Sequence, residues 1–128
     1  MREKPALPDG PKERWRRLDR GARAEALVAL MLRLRGYAIL ARRWKISAGE
    51  IDLVVSRGVE IRFVEVKRTR GTADSDAHEA VSSGQRRRIR DAADVWLLKN
   101  PRYREHEMHF DLALVAPWRM PRFIADGL

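Results

Sequence analysis

Residues 49–67, GEIDLVVSRGVEIRFVEVK, give two apolar-rich runs on either side of Arg57-Gly58, the pattern of two strands in a hairpin. A two-residue turn at Arg57-Gly58 pairs Ser56 with Val59 in antiparallel register. Asp52 then lies opposite Phe63 and diagonal to Glu65, while Glu50 lies opposite Glu65. Side chains alternate faces along a strand, so Asp52, Glu65 and Lys67 project from one face. Ile51, Leu53, Val55, Val64 and Val66 occupy the other face and belong in a core. A slip of one residue would put Asp52 on the opposite face from Glu65 and Lys67, so the register decides whether these charges meet.

Two carboxylates converging beside an ammonium suit a hard divalent cation, Mg²⁺ or Mn²⁺, which keeps waters for a substrate phosphate to displace. Like charges this close repel unless a cation lies between them. On this reading Lys67 orients or helps deprotonate an attacking water and offsets charge on the phosphorane, and the metal stabilises the leaving oxygen. The alternative for Asp52 is an internal salt bridge to Lys67 on the same face. Glu50 is read as a supporting acid or a strand-end charge, with Gly49 before it leaving room for a substrate backbone.

Working outward, a helix is expected from residue 19 or 21 to 35, with Ala24, Leu27, Met31 and Leu34 as its core stripe, widened by Val28 and Leu32, and Gly36 as its stop. Residues 37–41 form a strand, followed by a basic loop, Arg42-Arg43-Trp44-Lys45. Residues 71–76 are small and polar, a flexible loop. A second helix covers residues 83–98, where Ile89, Ala92, Ala93, Trp96 and Leu97 recur at helical spacing and Asn100-Pro101 ends it. Residues 108–116 make a further strand and 122–125 a short edge strand. The expected order is α-β-β-β-α-β with a short final strand: an α/β domain with a central mixed sheet flanked by helices. The second helix crosses over so that the 108–116 strand pairs in parallel with the Glu65 strand.

With 128 residues, one domain is expected, spanning residues 18–128, preceded by a mobile basic arm at 1–17, for which a helix after Pro11 is the alternative. The net charge of +9 is the footprint of a nucleic-acid binder, although a ribosome-associated or anionic-membrane protein or a solvated basic surface would show the same balance. There is no cysteine, which excludes disulfides and thiolate metal sites. No signal peptide or membrane span is expected, and a cytoplasmic location is the simplest account. Phosphate contacts fall to Arg42, Arg43, Lys45, Arg68, Arg70, Arg86, Arg87, Arg88 and the basic arm. Gln85, one turn before Ile89, can aim its amide at the acidic face, where it holds a phosphate or a water, or makes a plain helix-terminal hydrogen bond. His78, His106 and His109 make no convincing metal set. Trp15, Trp44 and Trp118 are candidates for base stacking or for packing, and Asp111 is read as structural.

Longer phrases add a family. GARAEALVALMLRLRGYAILARRW, GEIDLVV, FVEVKRTR and QRRRIRDAADVWL resemble the YraN-like family of bacterial proteins, over residues 21–115. Asp52 followed by Glu65-Val66-Lys67 is similar to the D-x(n)-(D/E)-x-K signature of restriction-endonuclease-like nucleases. That family is described as predicted endonucleases related in fold to Holliday-junction resolvases. The resemblance implies a restriction-endonuclease-like fold and metal-dependent cleavage of DNA in preference to RNA, with branched DNA as the structure-specific substrate and a homodimer as the cutting form. It implies Asp52 and Glu65 as metal-binding acids, Lys67 as the motif lysine and Glu25 as the first-helix acid that completes the metal set. The catalytic set is then Glu25, Asp52, Glu65, Lys67 and Gln85. For Glu25 the residues leave an alternative open. It has no base one turn away, so it reaches solvent or a base elsewhere in the fold. Two other functions stay open: a non-catalytic nucleic-acid-binding module and an interaction subunit of a DNA repair or replication assembly.

Overall fold

The computed structural model describes residues 11–69, 81–117 and 119–128, with the side chains of residues 11–20 outside the description. Arg70, the 71–76 loop, His78, Trp118 and the Trp15 side chain therefore lie outside the described residues, as does the first part of the basic arm. In chain order the elements are α1 (Pro11–Leu34), β1 (Ala38–Ile46), β2 (Gly49–Arg57), β3 (Glu60–Arg68), α2 (Ser83–Lys99), a 3₁₀ turn (Pro101–Tyr103), β4 (Glu107–Val115) and β5 (Arg122–Ile124). One five-stranded sheet runs β1-β2-β3-β4-β5. Only β3 and β4 pair in parallel, so the sheet is mixed, with α2 in the crossover between them.

The expected α/β order is present, with three local differences. Helix α1 starts at Pro11, the alternative reading of the arm, and runs unbroken into the helix expected from 19 or 21, because proline preorganises a first helical turn and the residues that follow are good helix formers. Strand β1 extends through Arg42, Arg43, Trp44 and Lys45, which were expected in a loop. As an edge strand it tolerates charge, and its charges and the register shift between Ile39 and Ala41 discourage pairing with another chain. The β2–β3 turn falls at Gly58-Val59 rather than Arg57-Gly58, since Arg57 pairs with Glu60. Gly58 takes a φ of 58° at the first turn position, the place where a two-residue hairpin turn accepts glycine with least strain. The register is thus displaced by two residues. An even shift preserves parity, so Asp52 and Glu65 still share a face.

Alternation along these strands builds two cores. Leu53, Val55 and Val64 pack with Val28, Ala29 and Leu32 of α1. On the other face, Val54, Ile61 and Phe63 pack with Ile89, Ala92, Ala93 and Trp96 of α2. Phe63 anchors the second core, edge-on to Trp96 at 5.9 Å and stacked on Phe110 at 5.3 Å. Burying such a ring contributes on the order of 2–3 kcal/mol. Ile51 breaks the pattern: it packs in the α2 core beside Val54, not with Leu53 and Val55 as expected. The interruption falls at Asp52, opposite a β1 residue, Arg43, whose φ is 49°.

Gly49 has a packing job beside the one expected. A Cβ there would lie 2.6 Å from the Arg88 carbonyl oxygen and 3.0 Å from its carbon, so this glycine lets β2 approach the α2 backbone. Gly49→Ala should therefore destabilise the protein by about 1–3 kcal/mol through overpacking. Urea denaturation checks it, and a change under about 0.5 kcal/mol would mean that α2 shifts freely.

Away from Asp52, half-buried Arg62 and buried Asp111 form a second charged unit. Arg62 Nη1 donates to both Asp111 oxygens at 3.0 and 2.9 Å, and its Nε to Glu60 at 3.2 Å. Asp111 Oδ1 also accepts the Asp126 N–H at 2.9 Å, tying the C-terminal turn to β4. Asp111 is thus structural, as its place in an apolar strand suggested. Among the described residues, no helix is long and apolar enough to cross a membrane.

Candidate active site

The β2–β3 ladder stops at Leu53–Val64, and one further step in the same register sets Asp52 directly across from Glu65. There the Asp52 carboxylate replaces a ladder acceptor: its Oδ2 takes the Val66 N–H at 2.8 Å. Asp52 is fixed by the sheet backbone, and its carboxyl also shares a hydrogen bond with the Glu65 side chain. Glu65 is 7% exposed. Its Oε1 accepts from Gln85 Nε2 at 3.0 Å and lies 3.6 Å from Lys67 Nζ. Gln85 is held in turn by the start of α2, where Ser82 caps the helix by accepting the Gln85 N–H at 3.1 Å. Two strands and a helix terminus therefore deliver the acids, the lysine and the amide to one place.

The electrostatics follow from this crowding. Burial pushes the Glu65 carboxyl up to about 8, and the Asp52 charge adds to the rise, against a partial offset from Lys67. Burial raises Asp52 as well, while the Val66 hydrogen bond favours its charged form. Two acids facing each other at a buried site hold a proton between them at neutral pH. Lys67 pairs with Glu65 and not with Asp52, so the internal salt bridge considered for Asp52 is absent among the described residues.

Two cavities meet at Asp52. The larger, about 370 Å³, is lined by Lys45, Glu50, Asp52, Glu65, Gln85 and Arg88, among others. The second, about 260 Å³, lies toward α1 and is lined by Glu25, Arg43, Lys45, Glu50, Asp52 and Arg68, with smaller residues. Of the three consecutive arginines at the start of α2, Arg88 reaches the larger cavity, Arg87 is exposed, and Arg86 has a buried Nε without a hydrogen-bond partner among the described residues. Lys45 lies 4.0 Å from Glu50 and both are well exposed, a pair worth little by itself.

Glu25 lines the smaller cavity with Asp52, and its charge adds to the rise at Asp52, but its pairing differs from that of the other two acids. It is 6% exposed, its Oε2 accepts from Arg43 Nε at 2.9 Å, and its Oε1 lies 3.8 Å from Arg42 Nε. Among the described residues, no three His, Cys, Asp or Glu side chains converge as a metal-binding group. The donor set that could hold a cation is therefore the Asp52–Glu65 pair, two hard carboxylates whose mutual repulsion a divalent ion would relieve. Sequence reasoning named Glu25 and Arg43 separately and missed that they bind each other. The available signal was the missing base one turn from Glu25, which left its carboxylate to be satisfied by another element.

A family model described as "Uncharacterised protein family UPF0102" matches residues 24–115, from Ala24 on α1 to Val115 at the end of β4. The chain belongs to this family. Its UPF0102 relatives include a protein of Paramagnetospirillum magneticum, 49% identical over 112 residues that cover 84% of this chain and 85% of the relative. A Parvibaculum lavamentivorans UPF0102 protein is 48% identical over 107 residues, covering 84% of this chain and 79% of the relative. One from a Bradyrhizobium strain is 43% identical over 121 residues, covering 94% and 87%. The UPF0102 match spans every residue placed around Asp52 except Gly21 of the smaller cavity, so the site lies within the family's shared region.

Proposed function

We propose that this UPF0102 protein is a metal-dependent endonuclease that hydrolyses DNA phosphodiester bonds at the Asp52–Glu65 pair. The observation that supports this reading most is the pair itself: two buried carboxylates facing each other, with Glu65 held up to about 8 and Lys67 3.6 Å away. A structural role gives no reason to bury two acids face to face, where one stays protonated at neutral pH. The residues fit Mg²⁺ or Mn²⁺, held by Asp52 and Glu65, and such an ion supplies Lewis-acid charge to the phosphate and acidifies a bound water.

The chain's own groups divide the remaining work. The Val66 N–H fixes the Asp52 carboxylate, and the Gln85 amide fixes Glu65, so neither acid has to reorganise when substrate arrives. Lys67, beside Glu65, attracts the scissile phosphate, orients the attacking water and offsets the charge that builds on the phosphoryl oxygens. Lys45, Arg68 and Arg88 line the cavities that meet at Asp52 and supply positive charge for the flanking phosphates. The net charge of +9 favours the encounter with a polyanion.

Purified protein incubated with labelled linear, flapped and four-way DNA and with RNA, in Mg²⁺, Mn²⁺ or EDTA, tests the proposal. Cuts that need the metal and disappear in Asp52→Asn are expected, and the preferred substrate names the DNA shape. Salt-sensitive binding without cutting would replace the enzyme with a nucleic-acid-binding module.

A further inference from the structure

We propose that Glu25 serves Arg43 and not a cation: it is the positioning residue that holds the Arg43 guanidinium at the cavity beside Asp52, where that guanidinium contacts a backbone phosphate of the nucleic acid. The inference rests on the reading of these cavities as the phosphate site.

Both oxygens of the Glu25 carboxylate face a guanidinium, Arg43 at 2.9 Å and Arg42 at 3.8 Å, so the acid is satisfied without a metal. Its burial makes that pairing close to obligatory, because a charged carboxylate removed from water needs a partner. Arg43 reaches Glu25 through Nε alone. Among the described residues, this leaves the two terminal nitrogens of the planar fork for another ligand. The Arg43 side chain is 46% exposed, and the residue lines the 260 Å³ cavity together with Asp52 and Arg68. Glu25 and, more weakly, Asp52 and Glu50 all act on this one guanidinium to favour its charged form.

The backbone supports a dedicated role. Arg43 has a φ of 49°, a left-handed conformation uncommon for a residue with a side chain. It occurs at the β1 position that the register sets opposite Asp52. Regular extended backbone there would have continued the alternation of β1; the left-handed residue redirects its side chain to α1 and to the cavity edge. Charge pairing in the smaller cavity then runs Glu25 with Arg43 and Glu50 with Lys45. Asp52 is left to face Glu65, and the cation site is thereby confined to the β2–β3 side.

Two measurements on the full chain test this. The first is Mn²⁺ affinity, by electron paramagnetic resonance, of wild type, Glu25→Gln and Asp52→Asn. Glu25→Gln should stay within about threefold of wild type while Asp52→Asn loses about tenfold or more. Equal losses in the two variants would overturn the inference and make Glu25 a ligand. The second is the salt dependence of duplex DNA binding in EDTA. Arg43→Gln should lower the log–log slope by about 1, the signature of one lost phosphate contact. An unchanged slope overturns the inference even where wild type binds Mn²⁺ and DNA. Should Glu25→Gln unfold by stranding the two arginines, Glu25→Gln with Arg43→Gln removes both partners and gives the same Mn²⁺ readout. A wild type that binds neither Mn²⁺ nor DNA would overturn this inference and the proposed endonuclease together.

Discussion

Asp52→Asn should abolish metal-dependent cleavage while making the metal-free protein more stable. The loss of activity is expected to be on the order of 10³-fold, about 4 kcal/mol of transition-state stabilisation, because one of two cation-holding carboxylates is gone. The gain in stability follows from the same geometry. An asparagine oxygen can still accept the Val66 N–H that Asp52 takes at 2.8 Å, so the local backbone keeps its hydrogen bond. The substitution removes the like charge facing Glu65, and with it part of the cost of burying that acid. A gain of about 1–2 kcal/mol corresponds to a rise of several degrees in Tm for a domain of this size. Calorimetry in EDTA at pH 8 measures it. A variant that lost both activity and stability would mean that Asp52 is part of the framework, not a group kept at a stability cost for its chemistry.

The second large effect is in pH. The Glu65 carboxyl sits at about 8 in the folded protein against 4.5 when exposed, chiefly because it is buried and then because Asp52 faces it. Between those values the folded state holds a proton that the unfolded state has released. Stability is therefore full below about 4.5 and is lost as pH rises through about 8, at up to about 1.4 kcal/mol per pH unit. Asp52, also raised, acts in the same direction. Glu65→Gln cannot ionise and should show a flatter profile. Urea denaturation of both proteins in EDTA from pH 5.5 to 8 gives the difference, from which titrations common to both cancel. Wild type should fall relative to Glu65→Gln as pH rises; a constant difference would contradict the crowding of the two acids. Excess Mn²⁺ at pH 8 should restore much of the lost stability by mass action on the folded state.

How much of this was legible in the sequence depended on the range of the signal. The hairpin was legible because alternation in GEIDLVV and EIRFVEV has a period of two and glycine marks the turn. Whether Gly58 stands first or second in that turn has no comparable marker, so the turn was misplaced; parity survived because the error was even. The extent of β1 was obscured by Arg42, Arg43 and Lys45, charges that an edge strand carries on its exposed side. The placement of Gln85 on the sheet-facing side of α2 followed from its spacing to Ile89, and the cap at Ser82 accounts for the rotation that brings it to Glu65. The Glu25–Arg43 contact was not legible, since it depends on a left-handed backbone at Arg43 that no neighbouring residue announces. The packing job of Gly49 was missed for a related reason. A glycine signals close approach by something, and only the packing of α2 identifies Arg88 as the thing that approaches.

The central claim is that Asp52 and Glu65 together form a cation site, and calorimetric titration of Mn²⁺ into the protein near pH 7.5 tests it most directly. With Glu65 near 8, much of the pair's shared proton is still bound at that pH and must leave as the cation enters. Titration in two buffers of different ionisation enthalpy should show one Mn²⁺ bound with release of a proton, and Asp52→Asn and Glu65→Gln should each lose that binding. Absence of binding in the wild type, or binding that both variants retain, would contradict the account.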